Sequence, residues 1–424
     1  MNRQTDVLVI GAGAAGLACA RRLIEVGRTV QVLEARNRIG GRIQTDTHLT
    51  GYPLELGAEF IHGESAVTHG LLQQAGLSVI PVDRLRAGLR WGMPAVPFAD
   101  LNPETRETIF QLRAVYSRLE TRPDSMPDLS LADYLIAEGF DADGLRMADV
   151  LLAQTCCAHL DSLSCADIAR ELQADHVGSL EYRIVEGYGA LLDWMAVELP
   201  IALGAAVHRI TWGVAGVQAE TTIGRFEARH AVLTLPVSVL DAGTVEFDPP
   251  LPPSKLDALH AFRTEPATKL LYVFSERRWD ADLTFMAHEG VAARWWTPGY
   301  RRSGPPVLAA YLTAERAATV DALPEEDALA LGLREASGLL GEAALADAVT
   351  LGKRVSWAAD PLARGGYAHI TLGGANARQT FAAPVEDVLF FAGEATAWDT
   401  NPQTVHGAIE SGWRASREVL SAAC

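Results

Sequence analysis

The sequence predicts an α/β protein of two domains, and three observations carry this prediction. The chain has 424 residues, more than a single hydrophobic core usually holds. Near its start, an apolar run from Val7 to Ile10 meets a glycine-rich turn and then a stretch with helical periodicity. A second strand pattern from Val30 to Leu33 ends on the acidic Glu34. Together these elements form a β-α-β unit of the Rossmann-like type.

The turn after the first strand reads Gly11-Ala-Gly13-Ala-Ala15-Gly16. Gly11 permits the tight turn, Gly13 lets the backbone approach a pyrophosphate, and Gly16 lets helix and strand pack closely. Ala15 lies in the first helical turn, where free amides favour a phosphate. Glu34, 18 residues after Gly16, can accept hydrogen bonds from ribose hydroxyls. The pattern predicts a dinucleotide site; the alternative is merely a tight strand-to-helix turn.

The loop after the second strand combines glycines with two cations, in the order Ala35-Arg36-Asn-Arg-Ile-Gly-Gly41-Arg42. Arginine forks suit phosphate oxygens, although a solvated basic loop is the alternative. With the preceding unit, this stretch resembles the N-terminal signature of the flavin-containing amine oxidases, the family of monoamine, polyamine and L-amino acid oxidases. The resemblance implies a Rossmann-like FAD-binding domain with a second α+β substrate domain, and FAD contacts at Ala35, Arg36, Gly41 and Arg42.

Composition excludes several other classes of protein. A formal charge of −17 disfavours a nucleic-acid partner, and it gives slight support to a cationic substrate. The five cysteines have no metal-type spacing, so we expect no metal site. The first strand begins by Asp6, leaving no room for a signal peptide, and no apolar run approaches the ~20 residues of a membrane helix. We expect a cytoplasmic enzyme with no membrane partner; a homodimer is one open choice of oligomeric state.

The pattern along the chain alternates between the two domains. Residues 80–200 are largely helical, strand runs return between Val207 and Leu235, and a β-rich section at 244–365 holds one helical insertion at about 324–340. The resemblance implies that the strand at Val207 presents its backbone to the adenine. The expected FAD-binding segments are 1–79, 204–243 and 370–424, and the expected substrate-domain segments are 80–203 and 244–369.

A buried strand pattern near the end of the chain closes on Gly393 and Glu394, and a loop and helix containing Thr404 and Val405 follow. Alone, such a unit is more often structural. A helix N-terminus facing the flavin would stabilise negative charge on the ring. The unit also resembles the family's closing motif, which implies FAD contacts at all four residues. Glu394 would bind a ribityl hydroxyl or reach the phosphates through a neighbour or water.

Lys269 interrupts an otherwise apolar strand from Ala267 to Phe274. A lysine in a protein interior is costly unless it is paired or useful, and the alternative is the solvent face of an edge strand. The segment resembles the family strand whose lysine holds a water against flavin N5. That likeness implies a catalytic role, in which the charge also favours electron transfer to dioxygen by stabilising superoxide.

Two aromatic residues, Trp357 and Tyr367, flank a glycine-containing segment. Their ordinary fate is core packing, but aromatic rings beside a flavin can receive an amine on the π-face. By resemblance, Trp357 contacts FAD and Tyr367 forms one wall of the family's aromatic cage. Gly366 stands where monoamine oxidases attach flavin through cysteine, so we expect non-covalent FAD. The opposite wall of the cage falls at Thr404, so a threonine stands where a second tyrosine would be expected. We predict that Thr404 contacts the substrate.

The loop Gly57-Ala58-Glu59-Phe60-Ile61-His62 resembles the polyamine-oxidase version of this segment. The resemblance implies FAD contacts at Gly57, Ala58 and Glu59, and places His62 opposite the substrate amine. A lone histidine is usually structural. Glu59 either binds a cationic group of the substrate or braces the loop, and the sequence leaves both roles open.

The resemblance implies an FAD-dependent amine oxidase, whose partners are a small amine and dioxygen. A hydride passes from the amine-bearing carbon to flavin N5, the imine is hydrolysed, and dioxygen yields hydrogen peroxide. We expect amines, including di- and polyamines, to react faster than α-amino acids. The alternatives are a flavin desaturase or dehydrogenase, a flavin-binding scaffold, and an L-amino acid oxidase. The last needs a cation for the carboxylate, with four unplaced candidates: Arg84, Arg86, Arg90 and Arg294.

Overall fold

The computed structural model describes residues 5–84, 86–123 and 125–422, and its mixture of strands and helices confirms the α/β class. Its strands, in chain order, are β1 (Thr5–Ile10), β2 (Val30–Leu33), β3 (Thr45–Asp46), β4 (Leu54–Glu55), β5 (Ile61–His62), β6 (Val79–Val82), β7 (Leu89–Trp91), β8 (Val96–Pro97), β9 (Glu181–Ile184), β10 (Ile201–Ala202), β11 (Val207–Gly213), β12 (Gly216–Thr221), β13 (Gly224–Leu233), β14 (Glu246–Asp248), β15 (Phe262–Thr264), β16 (Ala267–Phe274), β17 (Phe285–Ala287), β18 (Arg294–Trp296), β19 (Val307–Thr313), β20 (Val349–Ser356), β21 (Ala368–Ile370) and β22 (Leu389–Phe391).

The helices surround two large sheets. They are α1 (Ala14–Glu25), α2 (Val67–Ala75), α3 (Pro103–Arg118), α4 (Leu131–Ala137), α5 (Ala142–Leu151), α6 (Cys165–Ala174), α7 (Tyr188–Ala196), α8 (Val237–Asp241), α9 (Pro253–His260), α10 (Ala314–Asp321), α11 (Glu325–Leu340), α12 (Ala377–Ala382) and α13 (Val405–Ala422). The insertion expected at about 324–340 is α11, and the expected helical stretch at 80–200 contains α3 to α7 together with short strands.

The first large sheet is built around β1. Its strands follow the order β10-β2-β1-β13-β12-β11-β14, and β22 joins beside β13. The core strands β2, β1, β13 and β22 run parallel, whereas β11, β12 and β13 form the antiparallel meander expected from the sequence. Its strands come from residues 5–33, 201–248 and 389–391. Parallel strands of this kind carry their ligand sites at the carboxyl ends.

Small residues bring α1 and α13 close together beneath that sheet edge. A Cβ at Gly16 would lie 1.9 Å from the carbonyl oxygen of Gly11, and a Cβ at Gly412 would lie 2.2 Å from the carbonyl oxygen of Ala15. Both contacts are possible only for glycine, because backbone atoms cannot give way by an ångström or more. The packing therefore fixes the N-terminal end of α1 against the turn that leaves β1.

The second large sheet follows the order β20-β16-β19-β18-β17-β7-β8. Strand β16 has a neighbour on each side, and all eight of its residues are buried. Lys269 is therefore in a central strand, and its exposure is 3%. The register places Tyr311 of β19 opposite both Lys269 of β16 and Arg294 of β18. These three residues consequently stand side by side across the sheet.

None of the helices within the described ranges combines the length and the apolar character needed to cross a membrane. Among the same residues, no cluster of histidine, cysteine, aspartate and glutamate has the arrangement of a metal site. The five domain segments expected from the sequence stay predictions.

Candidate active site

A single cavity of about 690 Å³ extends from the β1–α1 turn to the second sheet. It is large enough for an extended cofactor with a substrate beside it, since ordinary ligand pockets occupy roughly 300–1,000 Å³. Most residues that the sequence singles out border it, namely Gly11, Gly13, Ala15, Glu34, Ala35, Arg36, Gly41, Arg42, Gly57, Ala58, Glu59, His62, Val207, Lys269, Trp357, Tyr367, Gly393, Glu394, Thr404 and Val405. Gly16, the one predicted FAD contact outside this lining, has the close-packing role described above.

At one end of the cavity, Glu34 organises two backbone segments. Its carboxylate accepts hydrogen bonds from the Ala12 amide at 2.9 Å and the Arg36 amide at 2.8 Å. The Arg36 guanidinium is engaged with Asp360, with Nη2 2.6 Å from Oδ2. This ion pair joins the loop after β2 to the segment after β20. Part of the Arg36 guanidinium, which the sequence assigns to a phosphate, therefore binds a carboxylate of the protein itself.

The lining of the cavity also contains an unsatisfied carboxylate oxygen. Arg42 Nη1 donates to the Gly366 carbonyl at 2.6 Å and to Glu394 Oε1 at 2.9 Å. The other oxygen, Glu394 Oε2, is buried and has no hydrogen-bond partner among the described residues. A buried acceptor without a donor is costly, and a sugar-chain hydroxyl supplies such a donor. Gly13 leaves open space, because a Cβ there would have only Gly40 O within 4 Å, at 3.9 Å. These features fit FAD.

Lys269 is one member of a buried charge cluster. Its ammonium donates to Glu59 Oε2 and to the Glu55 carbonyl oxygen, both at 2.9 Å. Glu59 also accepts from Arg183 Nε at 2.8 Å and from Trp296 Nε1 at 2.9 Å. Burial alone would raise the pKa of Glu59, but Lys269 and Arg183 outweigh it and lower the pKa below its usual value. Of the two roles left open by the sequence, this geometry favours bracing, since both carboxylate oxygens bond to internal donors.

His62 stands near a second ion pair at the edge of the cavity. Its Nδ1 lies 3.1 Å from Glu181 Oε1, and its side chain is 45% exposed. Arg84 binds the same carboxylate, with Nε 2.9 Å from Oε2. Burial would raise the pKa of Glu181, but Arg84 and His62 hold it well below its usual range. The fixed carboxylate orients the imidazole, whose other nitrogen is left for a ligand.

Tyr367 belongs to a short hydrogen-bonded chain. Its hydroxyl donates to the Thr155 carbonyl at 2.7 Å and accepts from the Tyr311 hydroxyl at 3.1 Å. Burial raises the pKa of Tyr367 well above its ordinary value, so it is a neutral phenol. Opposite it in the sequence-based cage, Thr404 Oγ1 accepts from the Gly407 amide at 3.0 Å, as an N-cap side chain does. The N-terminal end of α13 thereby borders the cavity.

Comparison with known proteins identifies the family. The family described as flavin containing amine oxidoreductase matches residues 14–420. The chain belongs to this family. Its cofactor is accordingly FAD, in agreement with the resemblance seen at both ends of the sequence.

The chain is also similar to individual proteins with known names and to solved structures. Polyamine oxidase 2 of Arabidopsis thaliana is 27% identical over 98% of this chain and 88% of its own. Lysine-specific histone demethylase 1 homolog 3 of Oryza sativa subsp. japonica is 30% identical over 98% of this chain and 54% of its own. A putrescine oxidase bound to putrescine has a TM-score of 0.87 at 22% identity, covering 99% of each chain. A cyclohexylamine oxidase from Brevibacterium oxydans has 0.86 at 19%, with the same coverage. Both structures show the same fold.

Several residues that border this cavity or brace the acid Glu59 in its lining have no signal in the sequence. Arg183, Trp296, Tyr311 and Thr155 come from segments far from the recognised motifs. One hint of such a residue was Glu59, because an acid buried in a loop needs a cation nearby to balance its charge.

The structure also separates the four arginines left unplaced by the sequence. Arg84 and Arg294 border the cavity, whereas Arg86 and Arg90 are not among its lining residues. Arg90 pairs with Asp280 at 2.8 Å instead.

Proposed function

We propose that this protein is an FAD-dependent amine oxidase that uses dioxygen as its electron acceptor. Bound FAD supplies the chemistry, accepting a hydride from the amine-bearing carbon and passing two electrons to dioxygen to give hydrogen peroxide. The resulting imine is hydrolysed to a carbonyl compound. The observation that carries the proposal is the continuity of one cavity, in which the residues that fit FAD and the Lys269 cluster share a lining. The printed names of polyamine and putrescine oxidases among the relatives support an amine substrate.

Lys269 is suited to hold a water or an oxygen species beside the cofactor. An ammonium has three N–H groups, and the described partners, Glu59 and the Glu55 carbonyl, use two of them. The third is available to the cavity that the side chain borders. Glu59 keeps the ammonium in place, and its own charge is balanced by Arg183.

Tyr367, Trp357 and His62 are suited to orient the amine. The Tyr367 ring is held by two hydrogen bonds at its hydroxyl, and Trp357 is fixed by donation from Nε1 to the Leu56 carbonyl at 3.1 Å. Fixed aromatic faces receive an amine without loss of side-chain freedom. His62, half exposed beside Glu181, can accept or donate a hydrogen bond at its free ring nitrogen.

The test uses the holoprotein without oxygen. Phenylethylamine, putrescine, spermidine and several L-amino acids are mixed with it anaerobically, and loss of flavin absorption is recorded by stopped flow. Oxygenated buffer is then added, and flavin recovery and hydrogen peroxide are measured. Bleaching followed by fast recovery with stoichiometric peroxide is expected. Bleaching with slow recovery would favour a dehydrogenase or desaturase, and no bleaching by any compound would favour a flavin-binding scaffold. A cytoplasmic location and a homodimer stay predictions.

A further inference from the structure

Arg294 is a buried cation without a matching anion. Its exposure is 3%, and it borders the cavity. One hydrogen bond to a described residue is present, from Nη1 to the Thr155 hydroxyl at 2.8 Å. Its Nε is buried and has no partner, and no carboxylate of the described chain forms an ion pair with it. Glu181, which pairs with Arg84, acts on this guanidinium from beyond ion-pair distance, so the charge lacks a direct partner and some of its donors are unsatisfied.

Each of the other buried lysines and arginines in the described chain has either a carboxylate partner or a full set of hydrogen-bond acceptors. Arg84 pairs with Glu181, Arg183 with Glu59, Arg378 with Asp167 and Arg414 with Glu418, while Lys269 pairs with Glu59. Lys255 lacks a carboxylate but donates to three backbone carbonyls at the end of α12. Burial, with a smaller contribution from Arg84, lowers the pKa of Arg294 to about 10, so the group is still a cation at neutral pH. An uncompensated buried charge is expensive, and a ligand anion would relieve that cost.

The position of Arg294 connects it to the amine site. It stands beside Tyr311, which stands beside Lys269 on the same sheet. With a strand spacing of ~4.8 Å, two strands separate the Cα atoms of Arg294 and Lys269 by roughly 10 Å. The hydroxyl of Thr155 binds Arg294, and the carbonyl of the same residue binds Tyr367. An anion at the guanidinium would thus lie next to the aromatic wall.

We propose that the amine oxidised by this protein carries a carboxylate group, and that Arg294 binds that carboxylate. This inference rests on the proposed function and specifies its substrate class. A planar guanidinium presents donors in a fork that matches a carboxylate, and the free Nη2 can contribute to it. Lys269 and Arg183 exceed the charge of Glu59 by one, so the nearby ion pairs add no surplus of negative charge. The expectation that simple amines react faster than amino acids rested on having no arginine in such a position, and Arg294 revises it.

An acidic region of the same cavity lining offers the competing interpretation. Glu171 and Asp175 of the α6 region border the cavity, and burial raises the pKa of Glu171 to about 7. A second ammonium of a diamine could bind there. The choice between a carboxylate at Arg294 and an ammonium at Glu171 is therefore measurable with compounds that differ by one group.

The experiment compares each amino acid with the amine left after removal of its carboxylate. The pairs are L-phenylalanine with phenylethylamine, L-ornithine with putrescine, and L-lysine with cadaverine, and anaerobic flavin reduction gives the rate divided by the dissociation constant. Wild-type protein is expected to prefer the acid in at least one pair. In R294M this ratio of rate to dissociation constant should fall at least about thirtyfold for that acid, since loss of one partner of a buried charge pair costs ~2–5 kcal/mol. The same ratio should change less than threefold for the matching amine. Arg294→Lys should recover part of the loss seen with the acid.

The matched control is R302M. Arg302 is a partly buried arginine that donates to the carbonyls of Ile184 and Val185 and also has an unpartnered Nε, but it does not border the cavity. Its replacement should leave the ratio within each pair unchanged. A change of the same size in R302M and R294M would overturn the proposal.

The comparison of each acid with its amine uses the wild-type protein alone, so it can still be made if R294M folds poorly. Faster reduction by the amine in every pair would overturn the inference while supporting the proposed function. If no compound bleaches the flavin, the proposed function fails, and titration with 3-phenylpropionate decides the inference separately. A saturable change in the flavin spectrum of wild type that is absent in R294M would support the carboxylate site. No change in wild type would refute it.

Discussion

Lys269 is stabilised by its partners in the interior of the second sheet. At 3% exposure, an ammonium without partners would be costly, because burial removes its hydration. Glu59 at 2.9 Å compensates it, and Arg183 in turn compensates Glu59. The three side chains form one unit, so removing one member changes the charge of the whole cluster.

Lys269→Met tests the catalytic part of this unit. We expect the variant to keep FAD, since Glu394 and the β1–α1 turn are untouched. Either the amine half-reaction or reoxidation by dioxygen should slow by about 100- to 1,000-fold, the range found when one preorganised donor is removed. Stopped-flow spectroscopy measures both steps. Lys353→Met, on the adjacent strand and away from the cavity lining, is the control; unchanged rates in K269M would mean that the lysine is structural.

Sequence reasoning at this scale reached residues that lie within contiguous motifs. Lys269 and His62 were nominated because the residues around them match a recognisable pattern. Arg183 and Trp296 were not, although they donate to Glu59 across 124 and 237 positions of the chain. Such pairings are created by tertiary folding, and no local periodicity or spacing encodes them. Arg294 was named as one of four candidates, and only its position in the fold distinguishes it.

At the scale of elements, the contact between α1 and α13 holds the two ends of the cofactor site together. The N-terminal ends of both helices border the cavity, through Ala15 and Val405. The glycine-rich turn and the last helix could be predicted from the sequence, as could α11. The short strands β7 and β17 could not, because they pair in parallel with each other across nearly 200 residues. A three-residue strand has too little periodicity to be recognised alone.

Gly412→Ala should weaken this contact. The new Cβ would lie 2.2 Å from the Ala15 carbonyl oxygen, so the helices must separate. We expect a net loss of about 1–3 kcal/mol in unfolding free energy and weaker FAD binding. Gly70→Ala is the matched control, since it lies in α2 with nothing within 4 Å of its Cβ. It should gain up to about 1 kcal/mol through helix propensity. Denaturant titration measures the unfolding free energy of each variant, and FAD titration measures its affinity for the cofactor. Equal effects of Gly412→Ala and Gly70→Ala would contradict the close-packing argument.

At the scale of the whole molecule, buried acids control how stability changes with pH. Burial raises the pKa of Glu55 from its ordinary 4.5 to about 7, although the Tyr188 amide and Thr45 hydroxyl bind its carboxylate. The folded protein therefore retains a proton that the unfolded chain releases. Its contribution to stability is largest below pH ~4 and is lost as pH rises to ~7, about 3 kcal/mol in all.

Glu55→Gln should flatten the stability profile between about pH 5 and 7. A glutamine cannot ionise, so the loss caused by Glu55 in that interval disappears, while the slope from Glu171 stays. Unfolding free energies from urea titrations at several pH values, with saturating FAD, give the profile. Glu326→Gln, on the exposed start of α11, should leave it unchanged. A slope in E55Q as steep as in wild type would show that Glu55 is ionised in the folded protein.

The final prediction concerns how FAD is retained by the complete chain. Gly366 lacks a nucleophile, and a Cβ there would lie 2.7 Å from Cys157 Sγ and 2.9 Å from the Ala267 Cβ. Burial raises the pKa of Cys157 to about 12, so its neutral thiol is a poor nucleophile as well. We therefore expect non-covalent FAD.

Unfolding of the protein then releases the cofactor, and free FAD at 100 times its dissociation constant should stabilise the folded protein by about 2.7 kcal/mol. The melting temperature should rise with added FAD, and acid precipitation should leave yellow FAD in the supernatant. A melting temperature independent of FAD, with colour in the pellet, would establish a covalent bond.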